Sequence, residues 1–131
     1  MTRPIVLAFL VVLFSGIAAC GKAAAADQTT PRGTVDAWVA AAKAKDKAAL
    51  LALGTPEWAE KERTWKKSFT NALFEGGWEL VSAEVREPEI EGDTARVSAR
   101  AQFMHEGKPD GEGLRFTLVL KDGRWLITTL G

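Results

Sequence analysis

The side chains best suited to catalysis or metal binding are scarce in this sequence. The chain has one histidine, His105, one cysteine, Cys20, and no tyrosine among its 131 residues. His105 is followed by Glu106, and one histidine beside one carboxylate is a weak metal signal, because zinc sites use three or four protein ligands. An acidic run could hold a divalent cation weakly, but its period-two spacing favours a solvated strand face. The run consists of Glu84, Glu87, Glu89 and Glu91. We therefore expect no metal ion and no cofactor.

The cysteine stands in a pattern that has a chemistry of its own. Arg3 precedes an apolar run, Ile5 to Phe14, and the small residues Ala18 and Ala19 lead directly to Cys20. A lone cysteine in an exported chain cannot form an internal disulfide and would be reactive, whereas a thioether to a lipid removes the thiol. The pattern resembles the lipobox of bacterial lipoproteins. The resemblance implies cleavage before Cys20 and a diacylglyceryl group on Cys20, through which the protein is held at the membrane.

Two other interpretations of this N-terminal region stay open. The apolar run is shorter than the about 20 residues of a membrane-spanning helix. Ordinary signal-peptidase cleavage would use Ala24-Ala25-Ala26, although Lys22 separates this site from the apolar run. On the lipoprotein interpretation, residues 1–19 are the signal peptide and residues 20–29 are a linker. An aspartate directly after the cysteine would resemble an inner-membrane retention signal, but position 21 is a glycine. We therefore expect the protein to be located in the bacterial cell envelope, at the periplasmic face of the outer membrane if the source is Gram-negative.

Charge and length exclude one class of partner and indicate one domain. The 17 basic and 17 acidic side chains give a formal net charge of zero, so no basic field is available to hold nucleic acid. We expect no nucleic-acid partner. The residues that follow the linker have the length of one domain.

Three helices are predicted ahead of the strands. Thr30 is a good N-cap and Pro31 fits the first helical position of the first helix. Asp46 caps a second, short helix that ends at Gly54. Thr55-Pro56 repeats the cap-and-proline signal and predicts a third helix over residues 56–74, with an ion pair of Glu62 and Lys66 on its outer side. The inner face of this third helix comprises Trp58, Trp65, Phe69, Ala72 and Leu73.

From Trp78 onward the hydrophobic period changes from helical to alternating. The predicted strands cover residues 78–87, 94–104, 114–121 and 124–130. Residues 105–113 are expected to form a loop, and Val81 is expected to face inward together with Ala83 and Val85. Asp122-Gly123 is a strong two-residue hairpin signal between the last two strands. Three helices followed by four antiparallel strands indicate an α+β fold, with the helices packed on one face of a curved sheet.

Four segments carry a resemblance that covers residues 30–131. They are TVDAWVAAAKAKDKAALLAL from Thr34, WELVSAEV from Trp78, DTARV from Asp93 and LKDGRWLI from Leu120. Together they resemble the NTF2-like superfamily, and more closely its small lipoprotein, DUF4878-type members. The resemblance implies a cone, in which a strongly bent sheet wraps around a long helix, often with a pocket at the open end. Since the shared motifs are helix, hairpin and core positions, they imply a fold more than an activity.

The expected function follows from the face that points into the cone. Enzymes of the superfamily, such as ketosteroid isomerase and scytalone dehydratase, use a carboxylate base with tyrosine donors or histidine–aspartate pairs inside the cone. The inward positions predicted here are apolar, so we expect no catalytic activity. An alanine-rich strand that faces larger side chains can leave volume for an apolar ligand. The candidate pocket comprises Trp58, Trp65, Ala99, Phe103 and Phe116.

We therefore expect a lipid-anchored envelope module that binds a small apolar ligand or an envelope protein. Two alternatives stay open. A buried carboxylate would favour an isomerase- or dehydratase-type enzyme. A large apolar patch on the outer face of the sheet would favour a structural role as a homodimer.

Overall fold

The computed structural model describes residues 27–131. The predicted signal peptide, Cys20 and most of the predicted linker lie outside the described residues. Gln28 belongs to the domain although the predicted domain begins at residue 30. Its side chain donates a hydrogen bond to the Trp125 carbonyl oxygen over 3.1 Å, and its own carbonyl oxygen accepts from the Trp125 amide over 2.8 Å. None of the helices described from residue 27 to the end is long and apolar enough to cross a membrane.

Each of the four described helices begins at a side chain that caps its first turn. Thr30 Oγ1 accepts from the Gly33 amide over 2.9 Å, and an Asp46 carboxylate oxygen accepts from the Ala49 amide over 3.1 Å. The helices are α1, Pro31–Ala44; α2, Lys47–Leu51; α3, Pro56–Thr64; and α4, Phe69–Glu75.

The third predicted helix is wrong in its middle, where the structure has two helices. Trp65 leaves the helical conformation, with φ −83° and ψ 115°. Ser68 then starts α4, because its hydroxyl oxygen accepts from the Asn71 amide over 3.1 Å. The apolar period continues across this break, so the local capping bonds override it. As a result Trp65, expected on the inner face, is 51% exposed.

Five strands form one antiparallel sheet in the order β1-β3-β4-β5, and the short β2 pairs with β3. They are β1, Trp78–Val85; β2, Glu89–Glu91; β3, Thr94–His105; β4, Lys108–Lys121; and β5, Arg124–Leu130.

Two tight turns connect the last three strands. The predicted Asp122-Gly123 hairpin is confirmed, with both residues at positive φ, 53° and 79°. The predicted loop over residues 105–113 is wrong, because β3 and β4 continue to a second turn of the same kind at Glu106-Gly107, with φ 54° and 79°. β4 is therefore longer than predicted, and its first residues extend the sheet at one end.

A bulge in β1 reverses one predicted side-chain orientation. The pairing of β1 with β3 shifts register between Leu80 and Ser82, and a bulge places an extra residue in one strand. Leu80 is buried and Val81 is 51% exposed, so the inward assignment of Val81 is wrong. Ala83 and Val85 pack against the core as predicted.

The core lies between the helices and one face of the curved sheet. Val35, Trp38 and Ala42 on α1 are fully buried. The Trp38 ring packs edge-on against Phe116 of β4, with 5.2 Å between the ring centres. Helices on one face of an antiparallel sheet are an α+β arrangement, which confirms the predicted fold class.

Candidate functional site

An apolar cleft opens between α4 and the sheet, at the end where the β3–β4 hairpin extends the strands. Its volume is about 230 Å³. Helix α4 contributes one wall, and β1, β3 and β4 contribute the other. The cleft is lined by Phe69, Ala72, Leu73, Trp78, Phe103 and Glu112.

Three aromatic rings shape the cleft. Phe103 lies between the other two, with its ring centre 5.8 Å from that of Phe69 and 5.9 Å from that of Trp78. The Trp78 and Phe103 rings are inclined by 85°, a favourable edge-to-face arrangement. These contacts pack the three rings together into one apolar wall.

Glu112 is the one charged side chain among the residues that line the cleft. It lies opposite Ala101 in the β3–β4 pairing and belongs to the same face of β4 as Leu114, Phe116 and Leu118, because side chains alternate along a strand. Glu112 falls within the expected loop over residues 105–113 and is therefore absent from the predicted pocket. Continuing the period of two backward from Leu114 would have placed Glu112 on the inner face.

His105 is engaged in contacts beside the cleft. It pairs with Trp78 across β3 and β1, and the two rings stack with 4.2 Å between centres and 5° between planes. Its Nε2 lies 3.1 Å from the Gly76 carbonyl oxygen, so this nitrogen carries a hydrogen and donates it. Among residues 27–131 there is no group of acidic, histidine or cysteine side chains suited to hold a metal ion.

Lys45 forms hydrogen bonds to the backbone of two residues that line the cleft. It terminates α1 in the left-handed conformation, with φ 59°. Its ammonium group donates to the carbonyl oxygens of Leu73, over 3.0 Å, and Trp78, over 2.5 Å. The ammonium group thus links α1 to α4 and to the start of β1. Lys45 is not among the residues that line the cleft.

Among the described residues, the cleft contains one of the five residues predicted to form a pocket. Phe103 lines the cleft, whereas Phe116 is fully buried in the core. Trp58 is 5% exposed and packs tightly against Gly54. Trp65 is exposed where α3 ends, and Ala99 is buried between β1 and β4 on the inner face. The remaining cleft residues come from α4 and from the ends of β1 and β4.

A buried carboxylate lies away from the cleft. Glu62 on α3 is 6% exposed, and one of its carboxylate oxygens accepts from the Thr70 amide over 3.1 Å and from the Thr70 hydroxyl over 2.5 Å. The predicted surface pair of Glu62 with Lys66 is therefore wrong. Because both bonds are at the start of α4, Glu62 satisfies helix donors and interacts favourably with the helix dipole.

Comparison with solved structures establishes the fold. A SEC-C motif-containing protein from Rhodopseudomonas palustris is 16% identical to this chain, covers 79% of each chain and superposes with a TM-score of 0.65. An NTF2-like protein with a cystatin-like fold from Novosphingobium aromaticivorans is 17% identical, over 98% of this chain and 89% of that chain, with a TM-score of 0.52. A variant of Rd1NTF2_05 is 12% identical, over 76% of this chain and 92% of that chain, with a TM-score of 0.54.

The fold is NTF2-like. No protein-family model and no curated protein matches the chain. At such identities the likeness concerns the fold, so a function has to be argued from the cleft and the surface of this chain.

Proposed function

We propose that the domain binds a small apolar ligand in the cleft between α4 and the sheet. The observation that carries the proposal is the lining itself, in which five of the six residues are apolar or aromatic. Ligand sites are typically concave and apolar, with a few polar groups that fix orientation. A volume of about 230 Å³ is below the roughly 300–1,000 Å³ of drug-sized sites. The ligand is accordingly a short acyl chain or a single substituted ring.

We also propose that the chain is a lipoprotein of the cell envelope, held at the membrane by a lipid on Cys20. This part of the proposal is supported by the pattern around Cys20 and by the resemblance to small NTF2-like lipoproteins of the DUF4878 type. A module of this kind would act on ligands near the membrane, where short acyl chains and other apolar metabolites concentrate.

Glu112 would serve as the base in a second candidate, an isomerase- or dehydratase-type enzyme, but this carboxylate is exposed rather than buried. Such chemistry also requires fixed donors aimed at the negative charge that develops on the substrate. Among the lining residues, the Trp78 indole is the single other polar group, and His105 is engaged with Trp78 and Gly76. Binding without turnover is therefore the better proposal.

The outer face of the sheet argues against the homodimer alternative. Large exposed hydrophobic residues of the described chain lie apart, at the α3–α4 junction, on β1 and on β2: Trp65, Val81 and Ile90. β3 presents polar and charged side chains outward, including Arg96, Ser98 and Arg100. A dimer interface of useful size would need a contiguous apolar patch.

The binding proposal is tested with the mature chain, residues 20–131, carrying Cys20→Ser so that no detergent competes for the cleft. Titration with 1-octanol should change the tryptophan fluorescence, because Trp78 lines the cleft, and should raise the melting temperature by mass action. Ala72→Leu fills the cleft and should weaken both responses. Ala40→Leu, at an exposed position of α1, is the matched control. The proposal fails if octanol changes neither signal, or if the two variants behave alike.

A further inference from the structure

We propose a second site on the opposite, outer face of the sheet, where four arginines surround Ser98 and bind a phosphate group. We call it the Ser98 site, and it consists of Ser98, Arg86, Arg96, Arg100 and Arg115. It shares no lining residue with the cleft, so it does not depend on the proposed apolar ligand.

The strand register places the arginines around Ser98. On one side Arg115 of β4 is directly opposite Ser98. On the other side the Arg86 amide donates to the Ser98 carbonyl oxygen over 2.8 Å. Directly opposite side chains in a sheet have their Cβ atoms about 5 Å apart. Ser98 therefore lies between two arginines that approach it from neighbouring positions.

The other two arginines belong to β3 itself. Arg96 and Arg100 are two residues before and after Ser98, and alternate residues of a strand share a face. Val97 and Ala99 between them are buried, which confirms that Ser98 and both arginines point outward. Arg96 and Arg100 are both diagonal neighbours of Arg86 and Arg115. Diagonal neighbours in a sheet are separated by about 7–8 Å, which a long side chain can span.

Two grooves meet at Ser98. One, of about 410 Å³, has Ser98, three of the arginines and Gly113 among its lining residues; the arginines are Arg86, Arg100 and Arg115. A Cβ atom added at Gly113 would meet nothing within 4 Å, so the space above this position is open. The other groove, of about 450 Å³, contains Ser98 and Arg86 again, together with Arg96 and Arg115. An anion above Ser98 is thus accessible to guanidinium groups from three directions.

The charges of the Ser98 site are only partly compensated within the described residues. Arg96 pairs with Glu89 at 3.6 Å, and both side chains are exposed. Arg86, Arg100 and Arg115 form no ion pair with the described residues. Glu84 lies opposite Arg100, and Glu87 lines the second groove. Gly131, the last residue of the sequence, lines the first groove and exchanges two backbone hydrogen bonds of 3.0 Å with Arg115. Because neighbouring like charges on a sheet repel, a bound anion would remove an unfavourable interaction.

The residue type indicates which anion fits. A guanidinium group presents a planar fork of donors that matches phosphate oxygens in pairs. A carboxylate offers two oxygens in one plane, whereas a phosphate group offers oxygens in several directions, as arginines on β3, on β4 and directly after β1 require. The Ser98 hydroxyl can donate one further bond. The phosphate can belong to a soluble compound or to a phospholipid headgroup, and the test distinguishes the two.

The test uses the full chain in a non-ionic detergent, with pyrophosphate as the soluble probe in isothermal titration calorimetry at low salt. Arg86→Gln and Arg115→Gln should each weaken pyrophosphate binding by about tenfold, which corresponds to one lost charge-assisted hydrogen bond. Arg115→Lys keeps the charge but loses the fork, so it should restore only part of the affinity. Arg63→Gln, on the exposed surface of α3, is the control and should bind like the parent protein.

A second arm compares phosphatidylcholine vesicles with and without phosphatidylglycerol. A lipid on Cys20 contributes equally to both, so a preference for phosphatidylglycerol that Arg115→Gln removes would identify the headgroup as the source. Pyrophosphate binding without this preference would identify a soluble phosphate compound. The proposal is overturned if neither probe responds, or if Arg63→Gln weakens binding as much as Arg115→Gln. Unchanged melting temperatures would show that the variants are folded.

Discussion

Glu62 is a buried carboxylate whose hydrogen bonds stabilise the fold. A buried carboxylate is a candidate for a general base, but one Glu62 oxygen already accepts two hydrogen bonds from Thr70. The Ser68 hydroxyl also donates to the Glu62 carbonyl oxygen over 2.7 Å. These bonds connect the end of α3 to the start of α4. The carboxylate therefore stabilises the helix break that the hydrophobic period did not reveal.

Replacing Glu62 should destabilise the domain. Glu62→Ala leaves the Thr70 amide and hydroxyl without their acceptor in a buried place, so the free energy of unfolding should fall by about 1–3 kcal/mol. Urea denaturation followed by circular dichroism measures the change. Glu60→Ala removes an exposed partner of Arg63 and should cost about 0.5 kcal/mol or less. Equal effects of the two substitutions would show that the contacts of Glu62 are not stabilising.

Glu112 should determine which head group the cleft prefers. It is the charged lining residue, so at equal chain length octylamine should bind more tightly than 1-octanol, and octanoate least tightly. Glu112→Gln should remove most of the difference, about tenfold in affinity for the amine, because it removes one charge-assisted contact. Fluorescence titration of the three ligands measures this order. Tighter binding of octanoate would mean that the Lys45 ammonium group behind the wall outweighs Glu112.

At the level of elements, strong local signals predict the structure correctly and weak ones do not. Asp122-Gly123 is a common hairpin turn and was predicted. Glu106-Gly107 forms the same turn with a residue that rarely adopts positive φ, so its flanks were assigned to a loop. The split of α3 from α4 depends on hydrogen bonds between residues six and eight positions apart, which a periodic pattern does not record. The β1 bulge at Val81 is a tertiary property of the β1–β3 pairing.

The β3–β4 turn should be as sensitive to substitution as the predicted one. Gly107 has φ 79° and, like Gly123, meets nothing within 4 Å, so its requirement is conformational rather than steric. Gly107→Val should lower the free energy of unfolding by about 1–3 kcal/mol, because a β-branched residue is strained at positive φ. Gly113, within β4, lacks a positive φ, so Gly113→Ala should change stability by about 0.5 kcal/mol or less. Thermal and urea unfolding measure both variants, and a harmless Gly107→Val would mean that the turn has another conformation.

For the molecule as a whole, the fold was predictable and the site was not. The order of helices and strands and the alternation on β3 and β4 were sufficient for an α+β, NTF2-like fold. The cleft, in contrast, is closed by α4, a helix that exists separately only because α3 ends at Thr64, and by the part of β4 that was assigned to a loop. The cleft residues contributed by α4 and by β4 are therefore absent from the predicted pocket because of the errors in those two elements. Phe103, on a strand whose alternation was predicted correctly, is the predicted pocket residue that lines the cleft.

The place of the molecule in the cell is the broadest prediction. If Cys20 carries the lipid, the few residues between Cys20 and Gln28 limit the distance between the domain and the membrane. A fully extended chain spans at most about 3.3–3.6 Å for each residue. Mass spectrometry of the membrane fraction should then find a mature N-terminus at Cys20 with its lipid. Cys20→Ser should move the protein out of that fraction. Ala26→Glu, which blocks ordinary cleavage after the alanine run but leaves the residues before Cys20 intact, should have no effect on processing. An unmodified N-terminus at Asp27 would instead show that the chain is secreted without an anchor, and the cleft would then bind its ligand in free solution.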